Sequence, residues 1–301
     1  MKIGYPCINR TIGCKGDRAF RLKSYSNQRL VHTVENNLAC LTKMLRFNVA
    51  YGILFFRITS DLVPFAAHPI CKFNWQQHFK TKFAEIGDFI KNHGIRISMH
   101  PDQFTLINSL DTRVFQRSRK ELLYHAQVLD LMNLDTPSKI QIHVGGVYGN
   151  KTESIRRFSR RFAMLHDSVR KRLVVENDDL LYSLRDCLEI SKQTHIPILL
   201  DTFHHQINSS GESPKEALKL VTPTWKTKDG LPMLDYSSHL KDGSKRQHAE
   251  SIDVNNFRKF LKETKPFDFD VMLEIKDKEN SALEAVKLAS RDNRFVKAGS
   301  K

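Results

Sequence analysis

Eight short apolar segments, each followed by a longer stretch with helical periodicity, constrain the fold of this chain more than any other feature. Most of these segments are too apolar for strands with one face in water, which is typical of parallel strands covered on both faces. Because strand and helix alternate without a break in composition, the pattern predicts an α/β fold, a single TIM (β/α)8 barrel. The predicted strands are residues 2–6, 52–59, 95–100, 139–144, 173–177, 196–202, 233–238 and 269–275.

The segments between these strands have the apolar spacing of amphipathic helices. A polar stretch rich in Gly and Pro, residues 202–231, is interpreted as an elaborated loop with one short helix. We therefore predict one domain over residues 1–301, with residues 292–301 expected to fray. The predicted helices are residues 27–48, 75–92, 113–133, 152–170, 180–194, 214–220, 251–263 and 281–290.

Several classes of protein are excluded by composition. A run of about 18 apolar residues, as a transmembrane helix needs, does not occur, and the first ten residues lack the apolar stretch of a secretory signal. The cysteines are odd in number and form no CxxC pair, which favours reduced thiols in an intracellular protein over a disulfide framework or a thiolate zinc site. These cysteines are Cys7, Cys14, Cys40, Cys71 and Cys187.

The chain is strongly basic, with 48 Lys and Arg against 33 Asp and Glu and a formal net charge of +15. A protein this basic commonly meets a polyanion, because each neutralised phosphate releases counterions. A generally basic proteome or a requirement for solubility would explain the charge equally well. Charge alone therefore leaves nucleic-acid binding open.

Histidine and carboxylate side chains recur where the predicted strands end. In a TIM barrel the chemistry lies on the loops at the carboxyl ends of the strands, and an ionised carboxylate there needs a cation or hydrogen bonds to compensate it. Each of these side chains alone could be a structural hydrogen-bonding partner, but together they predict a metal centre. The candidate ligands are His68, His100, His143, Glu176, Asp201, His204, Asp235, His248 and Glu274.

The candidate ligands indicate which metal ions bind and how many of them there are. Histidine and carboxylate without cysteine suit zinc or manganese, and the ligands outnumber those of one ion. Two or three ions that share a carboxylate are expected, an arrangement suited to phosphoryl transfer by metal-activated water. Glu176 and Glu274 are the expected bridging or central ligands, and His100 or His143 could instead act as a general acid.

Eight segments that include these residues resemble, in order and through nearly the whole chain, the UV damage endonuclease family, which is similar to endonuclease IV. The resemblance implies a TIM barrel that nicks double-stranded DNA immediately 5′ of UV photoproducts such as cyclobutane dimers and 6-4 products. It implies Mn²⁺ as the metal, with Zn²⁺, Mg²⁺ or Co²⁺ as alternatives, and no nucleotide cofactor. The segments are residues 2–11, 66–69, 98–104, 142–151, 174–179, 199–205, 248–253 and 272–279.

The resemblance also implies roles for individual residues. The candidate ligands other than Asp235 match family metal ligands. Gln103 and Phe104 match a pair that enters the duplex and probes the damaged strand, where the family commonly has Gln-Tyr. Tyr5 and Asn9 match residues that line the lesion pocket.

One position departs from the family pattern. The family's seventh strand reads Lys-x-His, with a lysine that is often carbamylated, whereas this chain has Met233 and Asp235. Met233 cannot form a carbamate, and Asp235 could replace the histidine as an anionic ligand. The departure affects the expected third metal ion and not the expected reaction.

Basic residues in loops near the expected barrel mouth are candidates for phosphate contacts with damaged DNA. The protein is expected to act as a monomer away from membranes. The candidates are Lys151, Lys226, Lys228, Lys241, Lys245 and Arg246.

Three other functions fit part of the pattern. A sugar-isomerising barrel with two metals would need the same ligands but gives no reason for the basic charge or for Gln103 and Phe104. A barrel that binds distorted DNA without cutting it is compatible with the altered residues Met233 and Asp235. An endonuclease that cuts at abasic sites would differ only in the damage it prefers.

Overall fold

Eight parallel strands close into a barrel in the computed structural model, which describes residues 1–238 and 246–299. Each strand pairs with the next one in the sequence, and β1 also pairs with β8, so the sheet has no free edge. The predicted TIM barrel is therefore confirmed. The strands are β1 Ile3–Pro6, β2 Phe55–Ile58, β3 Arg96–Met99, β4 Lys139–His143, β5 Leu173–Glu176, β6 Ile198–Asp201, β7 Met233–Tyr236 and β8 Asp270–Leu273.

Helices follow the strands and cover the outside of the barrel. Two predicted helices are each divided in two, because Phe79 and His166 leave the helical conformation and cap the helix that follows. The helices of the described residues are α1 Asn27–Ala50, α2 Trp75–His78, α3 Lys80–Asn92, α4 Thr112–Leu131, α5 Lys151–Ala163, α6 Asp167–Arg170, α7 Leu184–Thr194, α8 Thr202–Ile207, α9 Pro214–Val221, α10 Val254–Glu263 and α11 Glu279–Ala289. The α8 helix lies in a stretch for which the sequence predicted a loop.

The core lies between the barrel and the helices, as α1 illustrates. The Ser26 side chain accepts from the backbone N–H of Arg29 and caps the helix start. Buried side chains then recur at intervals of three and four residues, so one face of α1 packs on the strands. Full burial of each such apolar side chain contributes about 1.5–3 kcal/mol to folding. This face includes Leu30, Val34, Leu38, Leu41 and Leu45.

Buried ion pairs fill the amino end of the barrel. Arg96 donates to Asp270 at 2.8 Å, and Lys139 donates to Asp229 at 2.6 Å. All four side chains are buried. The loop that carries Asp229 therefore lies beneath the barrel, at the end opposite the predicted metal centre.

The expectation that all five cysteines are reduced is wrong for two of them. Cys14 and Cys40 form a disulfide that ties the loop after β1 to α1, whereas Cys7, Cys71 and Cys187 are free thiols. The pairing depends on how a long loop folds back on a helix, which the spacing of cysteines does not show. A closed loop of this size restricts the unfolded chain and stabilises the fold by roughly 2–4 kcal/mol.

Residues near the end of the described chain are held against the barrel. Arg294 donates to the carbonyl oxygens of Phe267 and Leu261, and the Val296 N–H donates to the Met1 carbonyl oxygen. These contacts oppose fraying of residues 292–296. Fraying of residues 297–301 stays a prediction. In the described part of the chain, no helix is long and apolar enough to cross a membrane.

Candidate metal centre and nucleic-acid interface

Glu176, the last residue of β5, lies at the centre of the histidine and carboxylate cluster. Its carboxylate oxygens lie 3.6 Å from Nε2 of His100, 4.0 Å from Nε2 of His143 and 3.6 Å from Nδ1 of His204. Since β4 and β5 pair with His143 opposite Glu176, these two side chains leave the sheet at the same height. Four elements of the fold therefore bring their side chains to one point at the carboxyl end of the barrel.

Asp201 ends β6 and also begins α8. Its Oδ1 accepts from the backbone N–H groups of Phe203 and His204 at 2.7 and 2.8 Å. Its Oδ2 has no hydrogen-bonding partner among the residues that the structure describes, and it lies 3.3 Å from Nδ1 of His204. Asn177 fixes the position of Asp201, because the two residues exchange hydrogen bonds of 3.0 Å between the Asn177 amide and the Asp201 backbone.

Asp235 and Glu274 lie on the other side of the cluster and share one partner, Arg57 of β2. The Arg57 Nη2 donates to both oxygens of Asp235 at 2.8 and 2.7 Å, and its Nη1 donates to Glu274. Gln141 links this group to the centre, since its Nε2 donates to Glu176 at 2.9 Å and to Asp235 at 2.8 Å.

His248 approaches the cluster from the segment after β7. Its Nδ1 donates to the backbone carbonyl oxygen of Glu274 at 2.5 Å, which leaves the lone pair on Nε2. That Nε2 lies 4.0 Å from a side-chain oxygen of Glu274. A histidine oriented by a carbonyl oxygen in this way is typical of metal ligands.

Three sets of donor atoms have the spacing that a metal ion requires, each within 4.8 Å of one another. Ligands about 2.0–2.2 Å from one ion lie roughly 3–4 Å apart, which is the range of the distances around Glu176. Glu176 belongs to two sets and Asp201 to two, so neighbouring ions could share a carboxylate. The sets are His100, His143 and Glu176; Glu176, Asp201 and His204; and Asp201, Asp235 and Glu274.

The orientation of the donor atoms supports the fit to metal ions. Nε2 of His100 and Nε2 of His143 face the carboxylate of Glu176, and Oδ2 of Asp201 is buried without a hydrogen-bonding partner within the described residues. Burial lowers the pKa of His100 to about 4, so that its ring is neutral at pH 7. Burial favours the neutral acid of Glu176, but His143 and His100 hold its pKa below the usual value. Neutral imidazole and ionised carboxylate are the forms that bind metals. His204 would have to lose a proton first, because burial opposes its charged form but Asp201 and Glu176 raise its pKa to about 9.

Gln103 and Phe104 lie beside this cluster, as the sequence predicted. Both are exposed in a turn after β3, and the Phe104 side chain is 72% exposed. The turn is fixed by Asp102, whose Oδ1 accepts from the Phe104 N–H at 2.8 Å. The two side chains line a cavity of about 960 Å³ that also borders His100, His143, His248 and Glu274.

The structure places Tyr5 away from any open pocket. Its ring is completely buried against Phe56, and its hydroxyl donates to Asn48 of α1 at 2.8 Å. The prediction that Tyr5 lines a lesion pocket is therefore wrong for this structure, because β1 directs this side chain outward to α1. Asn9 donates to the Tyr5 hydroxyl at 3.0 Å and borders a separate surface cavity of about 680 Å³.

The predicted position of Lys226 near the mouth is wrong. Lys226 and Lys228 lie in the same loop as Asp229. Asp229 binds Lys139 at the amino end of the barrel. Lys151 begins α5 on the side of the mouth, where its Nζ donates to Asp186 at 3.0 Å.

Two further candidate phosphate contacts, Lys241 and Lys245, lie outside the described residues. Arg246 lines the mouth and forms an ion pair with Asp179. Its role in DNA binding, like that of Lys151, stays a prediction.

His68 is the one candidate ligand among the described residues that the structure leaves apart from these contacts. It is exposed, its Nδ1 accepts from the Ile70 N–H at 3.1 Å, and its ring lies against Phe65. Its role as a ligand stays a prediction.

A model of the UV-endonuclease UvdE family matches residues 2–299. The chain belongs to this family. Among its relatives, the UV DNA damage endonuclease of Clostridium perfringens is 40% identical over 298 residues, covering 98% of this chain and 72% of that protein. The UV DNA damage endonuclease of Bacillus cereus is 34% identical, covering 88% of this chain and 84% of that protein.

Solved structures agree with the family assignment. The crystal structure of SacUVDE superposes with a TM-score of 0.93 and 44% identity, covering 98% of this chain and 99% of that one. Endonuclease IV from Thermus thermophilus superposes with a TM-score of 0.54 at 16% identity, over 83% of this chain and 93% of the other. At that identity the likeness extends to the fold alone.

Sequence analysis missed two groups at the site of this UV-endonuclease. Arg57 was missed although a charged residue within the apolar segment FFRI needs a buried partner. Lys278 lines the mouth beside Arg57, and burial lowers its pKa. The sequence indicated this position, because Lys278 follows the candidate ligand Glu274 by four residues and lies on the same loop after β8.

Proposed function

We infer that the protein is a DNA repair endonuclease that nicks UV-damaged double-stranded DNA at the phosphodiester immediately 5′ of the photoproduct. One structural observation supports this function in addition to family membership. His100 and His143, which lie beside Glu176, line the same cavity as the exposed pair Gln103 and Phe104. This arrangement supports a protein that acts on a phosphate close to the point where its side chains enter a base stack.

The cluster has the donors for a metal-dependent reaction, and Mn²⁺ is the expected ion. When bound, divalent ions would lower the pKa of a water molecule and neutralise charge on the phosphate. Glu176 would be a metal ligand together with His100 and His143, and together with Asp201 and His204. His100 is neutral at pH 7, so it can act as a ligand but not as a general acid in this state.

Damage recognition would rest on the ease with which the duplex opens. Extruding a nucleotide costs a few kcal/mol, and least where a lesion has already weakened pairing and stacking. Phe104 is free to fill the gap and stack on the remaining bases, and Gln103 can reach their exposed edges. The basic charge of the whole chain would attract the DNA backbone. Double-stranded damaged DNA is thus the proposed partner of a monomer without a nucleotide cofactor, acting inside the cell where its substrate lies.

The test uses an end-labelled duplex with a single cyclobutane thymine dimer, beside undamaged and abasic duplexes of the same sequence. We expect a nick directly 5′ of the dimer that leaves a 3′ hydroxyl and requires Mn²⁺. Cutting of the abasic duplex alone would support an endonuclease of the endonuclease IV type. Binding of the dimer without cutting would support a barrel that only recognises distortion.

Phe104→Ala should reduce cleavage of the dimer duplex by roughly 5- to 150-fold, since base stacking on an aromatic side chain contributes about 1–3 kcal/mol. Phe104→Tyr should retain activity, because the ring is kept. Leu180→Ala is the matched control, since Leu180 is also a large exposed side chain on a loop at the carboxyl end of the barrel. Equal losses for Phe104→Ala and Leu180→Ala would refute a specific role for Phe104.

A further inference from the structure

Arg57 distinguishes one of the three donor sets from the other two. The set of Asp201, Asp235 and Glu274 surrounds a space that already has a cation beside it, because the Arg57 guanidinium binds both Asp235 and Glu274. The Arg57 side chain is only 4% exposed. The ion pairs of Glu176 in the described part of the chain are with histidines.

The hydrogen bonds of Asp235 show that its acceptor capacity is taken. Both of its oxygens accept from Arg57, and Oδ2 also accepts from Gln141 at 2.8 Å. By contrast, Oδ2 of Asp201 has no hydrogen-bonding partner among the described residues, and the Nε2 atoms of His100 and His143 face the carboxylate of Glu176. A divalent ion between these groups would meet imidazole and carboxylate, whereas at Asp235 it would have to compete with the Arg57 Nη2, which already donates to both carboxylate oxygens.

Arg57 cannot lose its positive charge to make room for a third metal ion. Arginine keeps its proton in proteins, and both carboxylates that contact the guanidinium favour the charged form. The backbone of Arg57 is also fixed, because β2 pairs it with Ser98 of β3 and with Pro6 of β1.

The charge balance of the cluster points the same way. Glu176, Asp201, Asp235 and Glu274 contribute four negative charges when ionised, and Arg57 neutralises one of them. Two divalent ions would then leave the protein groups and ions with one net positive charge. Three ions would leave a net charge of three positive units, the guanidinium included, which is strongly unfavourable at a low local dielectric constant.

We propose that Arg57 serves as a built-in cation in place of a third metal ion, so that this endonuclease binds two divalent ions per chain. The two ions lie at the sets His100, His143 and Glu176, and Glu176, Asp201 and His204. Asp235 is then a positioning residue for Arg57 and not a metal ligand. The inference rests on the proposed metal-dependent function but concerns only the number of ions.

The experiment counts metal ions per folded chain. Wild-type protein, Arg57→Gln and Arg57→Lys are dialysed against Mn²⁺, and bound manganese is measured by plasma mass spectrometry. The folded fraction is measured by circular dichroism. We expect two ions in the wild type, three in Arg57→Gln and two in Arg57→Lys, because lysine restores the positive charge.

The matched control is Arg96→Gln, which removes a second buried arginine with a carboxylate partner, Asp270, at the opposite end of the barrel. We expect this variant to bind two ions. A wild-type count other than two would overturn the proposal, and this result does not depend on whether any variant folds. Two ions in Arg57→Gln, or three in Arg57→Lys or Arg96→Gln, would also overturn it.

Failure of this proposal and failure of the proposed function are distinguishable. If three ions are bound and the dimer duplex is cut, only the role of Arg57 is refuted. If two ions are bound and no duplex is cut, the ion count stands and the proposed function is refuted.

Discussion

Glu176→Gln should lower the rate of cleavage beside a thymine dimer by at least about a thousandfold. The carboxylate belongs to two of the three donor sets and has three histidine nitrogens around it. Glutamine has the same shape, and its amide oxygen can accept the hydrogen bond from Gln141, but it is a much poorer metal ligand. A thousandfold loss corresponds to about 4 kcal/mol of transition-state stabilisation, which is within the contribution of a metal centre.

The measurement is single-turnover cleavage of the dimer duplex together with the count of bound manganese. The control is Asp229→Asn, which neutralises another buried carboxylate, the partner of Lys139 beneath the barrel. That variant should melt at a lower temperature yet bind metal and cut DNA at the wild-type rate per folded molecule. If Glu176→Gln bound metal normally and lost less than about tenfold in rate, Glu176 would not be the central ligand.

Removal of the metal ions by a chelator should abolish cleavage and also lower the thermal stability of the protein. Glu176, Asp201 and Glu274 then repel one another across the mouth with only Arg57 and the histidines to compensate them. A ligand present at about 100 times its dissociation constant stabilises the folded state by roughly 2.7 kcal/mol. In a protein of this size we therefore expect the melting temperature to fall by several degrees.

The measurement is differential scanning calorimetry of the chelated protein before and after addition of Mn²⁺, Zn²⁺, Mg²⁺ or Co²⁺. The same samples are assayed for cleavage, so that stabilisation and activity are compared for each metal. We expect Mn²⁺ to restore both. The Glu176→Gln variant provides the control, because its melting temperature should respond to chelation much less than that of the wild type. Full cleavage by chelated protein would refute the metal-dependent mechanism.

The alternation of apolar segments determined the barrel and most of the candidate site. Strand ends such as His143, Glu176 and Asp201 could be placed from sequence because local patterns mark where each strand stops. In a closed parallel barrel all carboxyl ends face the same way, so these side chains had to converge. The same rule could have placed Lys226 correctly, because a loop that precedes a strand lies at the amino end.

Tertiary structure decided which face of a strand a side chain leaves and which partner it finds. The strand of Tyr5 is buried on both faces, so its apolar pattern does not show whether the ring points into the barrel or toward α1. The disulfide of Cys14 with Cys40 likewise depends on the path of a loop. Arg57 needed a buried partner on sequence grounds, but only closure of the sheet brings β2 to Asp235 and Glu274, more than 170 residues later. Local pattern specifies positions along the chain, whereas pairing across the barrel depends on distances that only the folded chain defines.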